Sequence, residues 1–365
     1  MLNQNLITEF MITSLRVKNY RCFKDLKVND LGLINIIAGD NGAGKTALLE
    51  SIILPAGNPQ YVFQLRNWRG VNMSALGPTK SAYEAVWKDL FFQFSHDKSI
   101  EISLEGTPEN SRVLKIYYGT QELTLFPPGE KKEALEERDS TLITPLTFET
   151  TDSRGVTTKS QTVVQPNGGI TFTGGAANPL VYFYPASSLA NAAQVASQFS
   201  SLSKKNQGSE ISDLIRTIFP QIGELSVEVS GNMPELHSAV SGMPEKMPLG
   251  LVSNGINKLV AILLAITSHA KGIVLIDEIE NGIYYQKMPK MWQAIFQFCQ
   301  RYQVQLFAST HSLECLKALI PVMSENEKDF RLLRVEDGLN GSGHVIRMFK
   351  GKNFEAALET GVEVR

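Results

Sequence analysis

A chain of 365 residues with 35 basic and 37 acidic side chains has a formal charge of −2, which offers no general attraction to a polyanion; any nucleic-acid contact must come from a local patch. Apolar content of 43% and charged content of 20% are ordinary for a soluble globular protein, and the length calls for one large domain with an insertion or for two domains. Cys22, Cys299 and Cys315 are odd in number, far apart and without metal-ligand spacing, so they read as reduced thiols and not as a disulfide framework.

Residues 1–11 lack the basic start and long apolar core of a signal peptide. The longest apolar run, residues 259–267, falls short of the ~20 residues a membrane span needs. A cytoplasmic chain with no membrane partner is expected. Residues 12–38 alternate like two strands, "ITSLRVKNYRCF" and "DLKVNDLGLINIIAG", with Asn29 and Asp30 turning between them. The second strand leads into "GDNGAGKT", after which "ALLESIIL" opens a helix that Pro55 and Gly57 interrupt.

From about residue 58 to 180, short alternating runs such as "SIEISLEG", "RVLKIYYGTQELTLF" and "GGITFTGG" predict an antiparallel β-rich region. The charged stretch at 128–140 reads as a solvated loop or short helix. Residues 196–218 suit a surface helix pair, and "GELSVEV" with "ELHSAV" a hairpin. The last third alternates helices ("NGINKLVAILLAITSHA", "YYQKMPKMWQAIFQFCQRY", "SLECLKAL") with buried strands ("GIVLIDE", "VQLFAST"), which implies a parallel sheet.

Residues 39–46 match G-x-x-x-x-G-K-[ST] at every fixed position and lie between a strand and a helix, the context a P-loop needs. In such a loop the backbone N–H groups of Asn41, Gly42, Ala43, Gly44 and Ala47 would face phosphate, Lys45 would reach the β and γ oxygens, and the Thr46 hydroxyl would ligate Mg²⁺. The strand 273–276 ends in Asp277 and Glu278, which point different ways. One carboxylate suits the metal, assigned here to Asp277, and the other a general base for an attacking water, assigned to Glu278. Ser253, Asn254 and Gly255 open a helix whose N-terminus can receive an anion, though serine and asparagine are also ordinary caps. His311 directly follows a buried strand, within reach of a γ-phosphate if that strand lies beside the P-loop strand.

The order of these parts, P-loop, serine-glycine helix start, acidic strand end, strand-end histidine, resembles that of ATP-binding-cassette ATPases. Within that superfamily "VKNYRCFKDL", "AGDNGAGKTALLESI", "LVSNGINKLVAILLAI", "IVLIDEIENGIYY" and "FASTHSLECLKAL" are similar to the RecF/SMC-like branch and its OLD-like ATPases. The resemblance implies an α/β head with a mixed or parallel sheet core, an antiparallel β-rich lobe and a short helical insertion. Its parts would be residues 1–57 and 246–365 for the head and 58–245 for the lobe and insertion. It further implies ATP and Mg²⁺ as ligands and a homodimer or larger assembly that sandwiches ATP. In that assembly Ser253 and Gly255 touch the γ-phosphate of the second copy, Glu280 and Asn281 form the D-loop, and His311 is the switch histidine. Arg21 matches the arginine of the N-terminal motif, which approaches the nucleotide; a plain edge-strand charge is the other reading.

"VSNGIN" departs from the transporter signature, and Gln64 and Gln93 are candidates for the γ-phosphate-sensing glutamine, a plain surface position being the other reading of each. About two hundred residues between Thr46 and Ser253 leave no room for a long coiled coil. Residues 331–365 are too few for a TOPRIM nuclease, so the likeness is to stand-alone OLD-like ATPases, such as those of PARIS-type anti-phage systems, with a separate nuclease-type effector. The alternative is a RecF-like DNA clamp, for which Arg66, Arg69 and Lys80 near Trp68 supply local positive charge.

Overall fold

The computed structural model describes residues 12–56, 59–68, 80–119, 123–124, 142–164, 170–174, 181–186, 192–338 and 343–359. Residues 12–38 form three strands where the alternation predicts two. β1 (Ile12–Tyr20) and β2 (Phe23–Asn29) pair antiparallel up to Tyr20↔Phe23, and β3 (Ile34–Ala38) departs to another sheet. Arg21 reverses the chain at φ +49° and Asp30 breaks it again at φ +58°. Neither turn is built on glycine or proline, which is why composition marks only one of them.

α1 (Lys45–Ala56) begins on the P-loop lysine and contains Pro55 in its last turn. Two further helices, α2 (Tyr61–Trp68) and α3 (Lys80–Lys88), stand where only strands are expected; Val62 with Leu65, and Tyr83 with Val86 and Trp87, bury helix-spaced faces. Then follow β4 (Ile100–Gly106), β5 (Arg112–Tyr118), the short ladder β6 (Leu123–Thr124) with β7 (Leu142–Ile143), β8 (Leu146–Asp152), β9 (Thr157–Val164) and β10 (Ile170–Thr173). A seven-stranded antiparallel sheet runs β10-β9-β8-β5-β4-β1-β2; five of its strands fall in the stretch 58–180 read as β-rich, and β1 and β2 join it from the residues before the P-loop. The charged stretch 128–140 lies outside the described residues.

β11 (Val181–Tyr184) returns to the second sheet and pairs parallel with β15 (Ile273–Ile276). Between them lie the helix pair α4 (Ala192–Ser203) and α5 (Gly208–Ile218) and the hairpin β12 (Ile222–Ser230) and β13 (Met233–Val240). The short β14 (Met247–Pro248) and α6 (Leu249–Val252) then lead into α7 (Asn254–Ser268). The helix pair is not confined to the surface: Phe199, Ile211 and Ile215 are buried in the core beneath it. After β15 come α8 (Met288–Tyr302), β16 (Gln305–Ser309), α9 (Leu313–Glu325), β17 (Phe330–Glu336), β18 (Val345–Phe349) and α10 (Lys352–Glu359). The second sheet is ordered β11-β15-β16-β3-β17-β18, parallel except for its last pair.

The continuous apolar runs of β3, β15 and β16 have a simple cause: both faces of this sheet are covered. Ile34, Ile36, Val274, Ile276 and Leu306 face a core shared with α7, α8 and α9. Ile37, Ile273, Leu275 and Phe307 face the other way, into a core with α1 and the antiparallel sheet. Each fully buried aliphatic side chain contributes about 1.5–3 kcal/mol relative to exposure, so α1, with Leu48, Leu49, Ile52 and Ile53 at 0–1% exposure, is clamped between the sheets. That clamp fixes the residues at its N-terminus relative to the ends of β15 and β16.

Candidate functional site

The P-loop connects β3 to α1 through backbone that only glycine adopts without strain. Gly44 sits at φ +97°, and a Cβ there would lie 2.6 Å from Cys22 Sγ. Lys45 is 8% exposed, and its ammonium donates to the carbonyls of Gly39 and Asp40 at 2.7 and 2.9 Å. Burial lowers its pKa, against the opposing pull of Asp277, Glu278, Glu280 and Asp40.

β15 delivers Asp277 and Glu278 to the same place. The Thr46 hydroxyl donates to Asp277 Oδ2 at 2.9 Å, and the Ser309 hydroxyl donates to Oδ1. Burial raises the Asp277 pKa despite these two donors, with Glu278 and Glu50 adding to the rise. Ser309 Oγ also accepts from the Glu278 N–H at 2.8 Å, so the end of β16 holds both acids. Glu278 itself has φ +50°, uncommon for a residue with a side chain, and its carboxylate accepts from the Asn281 amide.

A cleft of about 320 Å³ is lined by Arg21, Cys22, Asn41, Gly42, Gly44, Lys45, Thr46, Ala47, Asp277 and Glu278. Ala43 is buried at 9% exposure and borders a neighbouring cleft on the β17 side. Arg21 is anchored by Glu50 at 2.7 Å and Asp89 at 3.3 Å, and Asp89 also pairs with Arg66 of α2. Burial opposes the Arg21 charge, but Tyr20, Glu50 and Asp89 outweigh it and raise its pKa.

The remaining expected residues stand apart from this cleft. Ser253 caps α7, its Oγ accepting from the Ile256 N–H at 3.4 Å, and Gly255 is pressed against Gly282, where a Cβ would fall 2.1 Å from the carbonyl oxygen. β16 lies beside β3, the condition set for His311. The His311 side chain is 43% exposed; the His311 backbone N–H donates to Glu280 Oε1 at 2.9 Å, and the ring Nδ1 lies 3.2 Å from the same oxygen. Gln64 and Gln93 are both exposed and line none of the cleft.

Sequence reasoning passes over Ser309, Glu50 and Lys258. Ser309 lies in the quoted "FASTHS" without being singled out, and Lys258 is the one charge inside the apolar run of α7. Lys258 is 6% exposed and donates to the Glu278 carbonyl at 2.6 Å. Burial pushes its pKa down to about 8, against Glu280, Glu278 and Asp277.

A phosphate-binding loop with its lysine buried beside two strand-end carboxylates, on a sheet in which one strand separates the loop strand from the acidic strand, defines an ABC-type P-loop ATPase. The family model described as "AAA domain, putative AbiEii toxin, Type IV TA system" matches residues 34–316, and the chain belongs to this family. It is similar to an "ATP/GTP phosphatase" of Helicobacter pylori, at 24% identity over 88% of this chain and 90% of that protein. An uncharacterized protein of Methanocaldococcus jannaschii is 36% identical over 26% of this chain and 41% of its own length. In fold the chain is similar to an SMC head solved bound to the C-winged helix domain of ScpA, with a TM-score of 0.50 at 11% identity, covering 93% of this chain and 98% of that one. Among the described residues no helix is long and apolar enough to cross a membrane.

Proposed function

We propose that the chain is an OLD-like ATPase switch, binding ATP in the P-loop cleft, hydrolysing it slowly, and using the bound γ-phosphate to hold two copies together. The observation that carries the reading is a division of parts. Lys45, Thr46, Asp277 and Glu278 share one cleft, while Ser253 and Gly255 lie outside it at an α7 N-terminus packed on the Gly282 turn. A second copy supplying that N-terminus would complete the site, and loss of the γ-phosphate would remove its preference for the closed pair. The similarity to an ATP/GTP phosphatase supports a purine nucleoside triphosphate as substrate.

Lys45 would exchange its two carbonyl partners for phosphate oxygens, a gain for a buried ammonium. Glu278 would take the proton of the attacking water. Thr46 and Asp277 present hard oxygen donors at the cleft, and the raised pKa of buried Asp277 marks a carboxylate that a cation would stabilise; both fit Mg²⁺. Bound there, Mg²⁺ would neutralise phosphate charge.

A separate effector, of nuclease type by likeness to stand-alone OLD-like systems, would read the closed state, in anti-phage defence or DNA surveillance. The DNA-clamp alternative loses one of its cations: Arg66 is 5% exposed, paired with Asp89 and placed over the Trp87 ring. Arg69 lies outside the described residues. The test is the mass of the Glu278→Gln protein with and without ATP. A nucleotide-dependent doubling is expected; an unchanged monomer mass with ATP bound would overturn the switch.

A further inference from the structure

The acidic loop after β15 is in contact with the helix that opens at Ser253. Two contacts join them: Gly255 meets Gly282 with no room for a methyl group, and one turn further on Lys258 reaches the Glu278 carbonyl at 2.6 Å. Lys258 is an expensive residue to place there. Its side chain is buried at 6% exposure in an otherwise apolar stretch, with its ammonium 5.7 Å from the Tyr184 ring centroid. A buried lysine is tolerated when it satisfies a specific acceptor, and here the acceptor is the peptide of a residue in a left-handed conformation, φ +50°.

We infer that Lys258 is a positioning residue for hydrolysis: its bond to the Glu278 carbonyl holds that backbone in the left-handed turn and thereby aims the Glu278 carboxylate at the cleft. The inference deepens the proposed function, since it rests on Glu278 as general base. The Glu278 N–H is fixed from the other side by Ser309 at 2.8 Å, so the peptide groups flanking this residue are gripped by two different elements, α7 and β16. Because α7 also begins with Ser253 and Gly255, a force applied at its N-terminus by nucleotide on a second copy would pass through Lys258 to the same head's own base.

Lys258→Met keeps the length and volume of the stem and removes the donor. Its turnover is expected to fall at least tenfold, while its affinity for a non-hydrolysable ATP analogue, read by calorimetry, stays within twofold and its melting temperature does not drop. A role confined to packing, which the methionine stem preserves, would leave both the melting temperature and the turnover unchanged, and unchanged turnover overturns the inference. The second reading is a double-mutant cycle: Lys258→Met added to Glu278→Gln should cost nothing further, because the lysine acts through the glutamate. A further tenfold loss in the double variant overturns the inference. Should the methionine variant not fold, Lys258→Gln retains a donor in the same space and is expected to lose less turnover than Lys258→Ala; equal losses overturn the inference. Full turnover in Glu278→Gln would instead remove the general base itself, an outcome distinct from full turnover in Lys258→Met with Glu278→Gln inactive.

Discussion

The Thr46 hydroxyl donates a 2.9 Å hydrogen bond to Asp277 Oδ2 across 231 positions of sequence. This bond joins the first turn of α1 to the end of β15, and Ser309 closes it from β16. Asp277 is 6% exposed, and its pKa is raised, so ionised Asp277 costs the fold stability at neutral pH. The sign follows from the unfolded value of 3.8: the cost is present above the raised folded pKa and vanishes below 3.8. Asp277→Asn should therefore melt about 1–3 °C above the wild type at pH 7 in the absence of nucleotide, with the gap closing as pH falls toward 4. Its hydrolysis should drop at least ~100-fold. Scanning calorimetry across that pH range checks the first, phosphate release the second.

Lys45 holds two P-loop carbonyls in the absence of phosphate, and the burial that lowers its pKa offsets what those two bonds contribute to the fold. Lys45→Ala is expected to weaken ATP binding by ~100-fold or more, measured by isothermal titration calorimetry, with little change in melting temperature.

Glu278→Gln keeps the Asn281 contact and the left-handed turn but cannot accept a proton. Turnover should fall by ~10²–10⁴, the usual range for a general base, while ATP affinity is retained. Rapid-quench measurement of phosphate formation in a single turnover separates this from slow product release. Hydrolysis at the wild-type rate would show that another group takes the proton.

Gly255→Ala places a Cβ 2.1 Å from the Gly282 carbonyl oxygen, and backbone on both sides leaves no side chain to yield. A loss of about 1–3 kcal/mol is expected in urea unfolding. Turnover should fall as well, because Gly282 adjoins Asn281, the partner of Glu278. Gly250→Ala is the control: its Cβ would have only Asn257 Nδ2, at 3.8 Å, within reach, and stability should change by no more than a few tenths of a kcal/mol.

Much of the site is legible in the chain because its chemistry is local. A phosphate loop needs glycine, lysine and threonine at fixed spacing, and a buried strand ending in two acids needs only periodicity to be seen. The turn at Arg21 and the helices α2 and α3 escape reading because no glycine or proline marks the former and amphipathic segments of eight or nine residues sit among alternating runs in the latter. Arg66 shows the same limit from another side: as a residue type it reads as surface charge, whereas in the fold it is buried against Asp89 and Trp87.

The amino-acid order alone determines that this chain makes a phosphate loop, a strand-borne pair of acids and a parallel sheet, since each depends on near-neighbour spacing and backbone preference. Only the packed molecule decides that Ser309 grips both acids, that Lys258 reaches the Glu278 carbonyl and that Ser253 and Gly255 stand outside the cleft. Those relations depend on how distant segments are clamped around α1 and the shared sheet, and hydrogen-bond partners separated by twenty to three hundred positions leave no periodic trace in the chain.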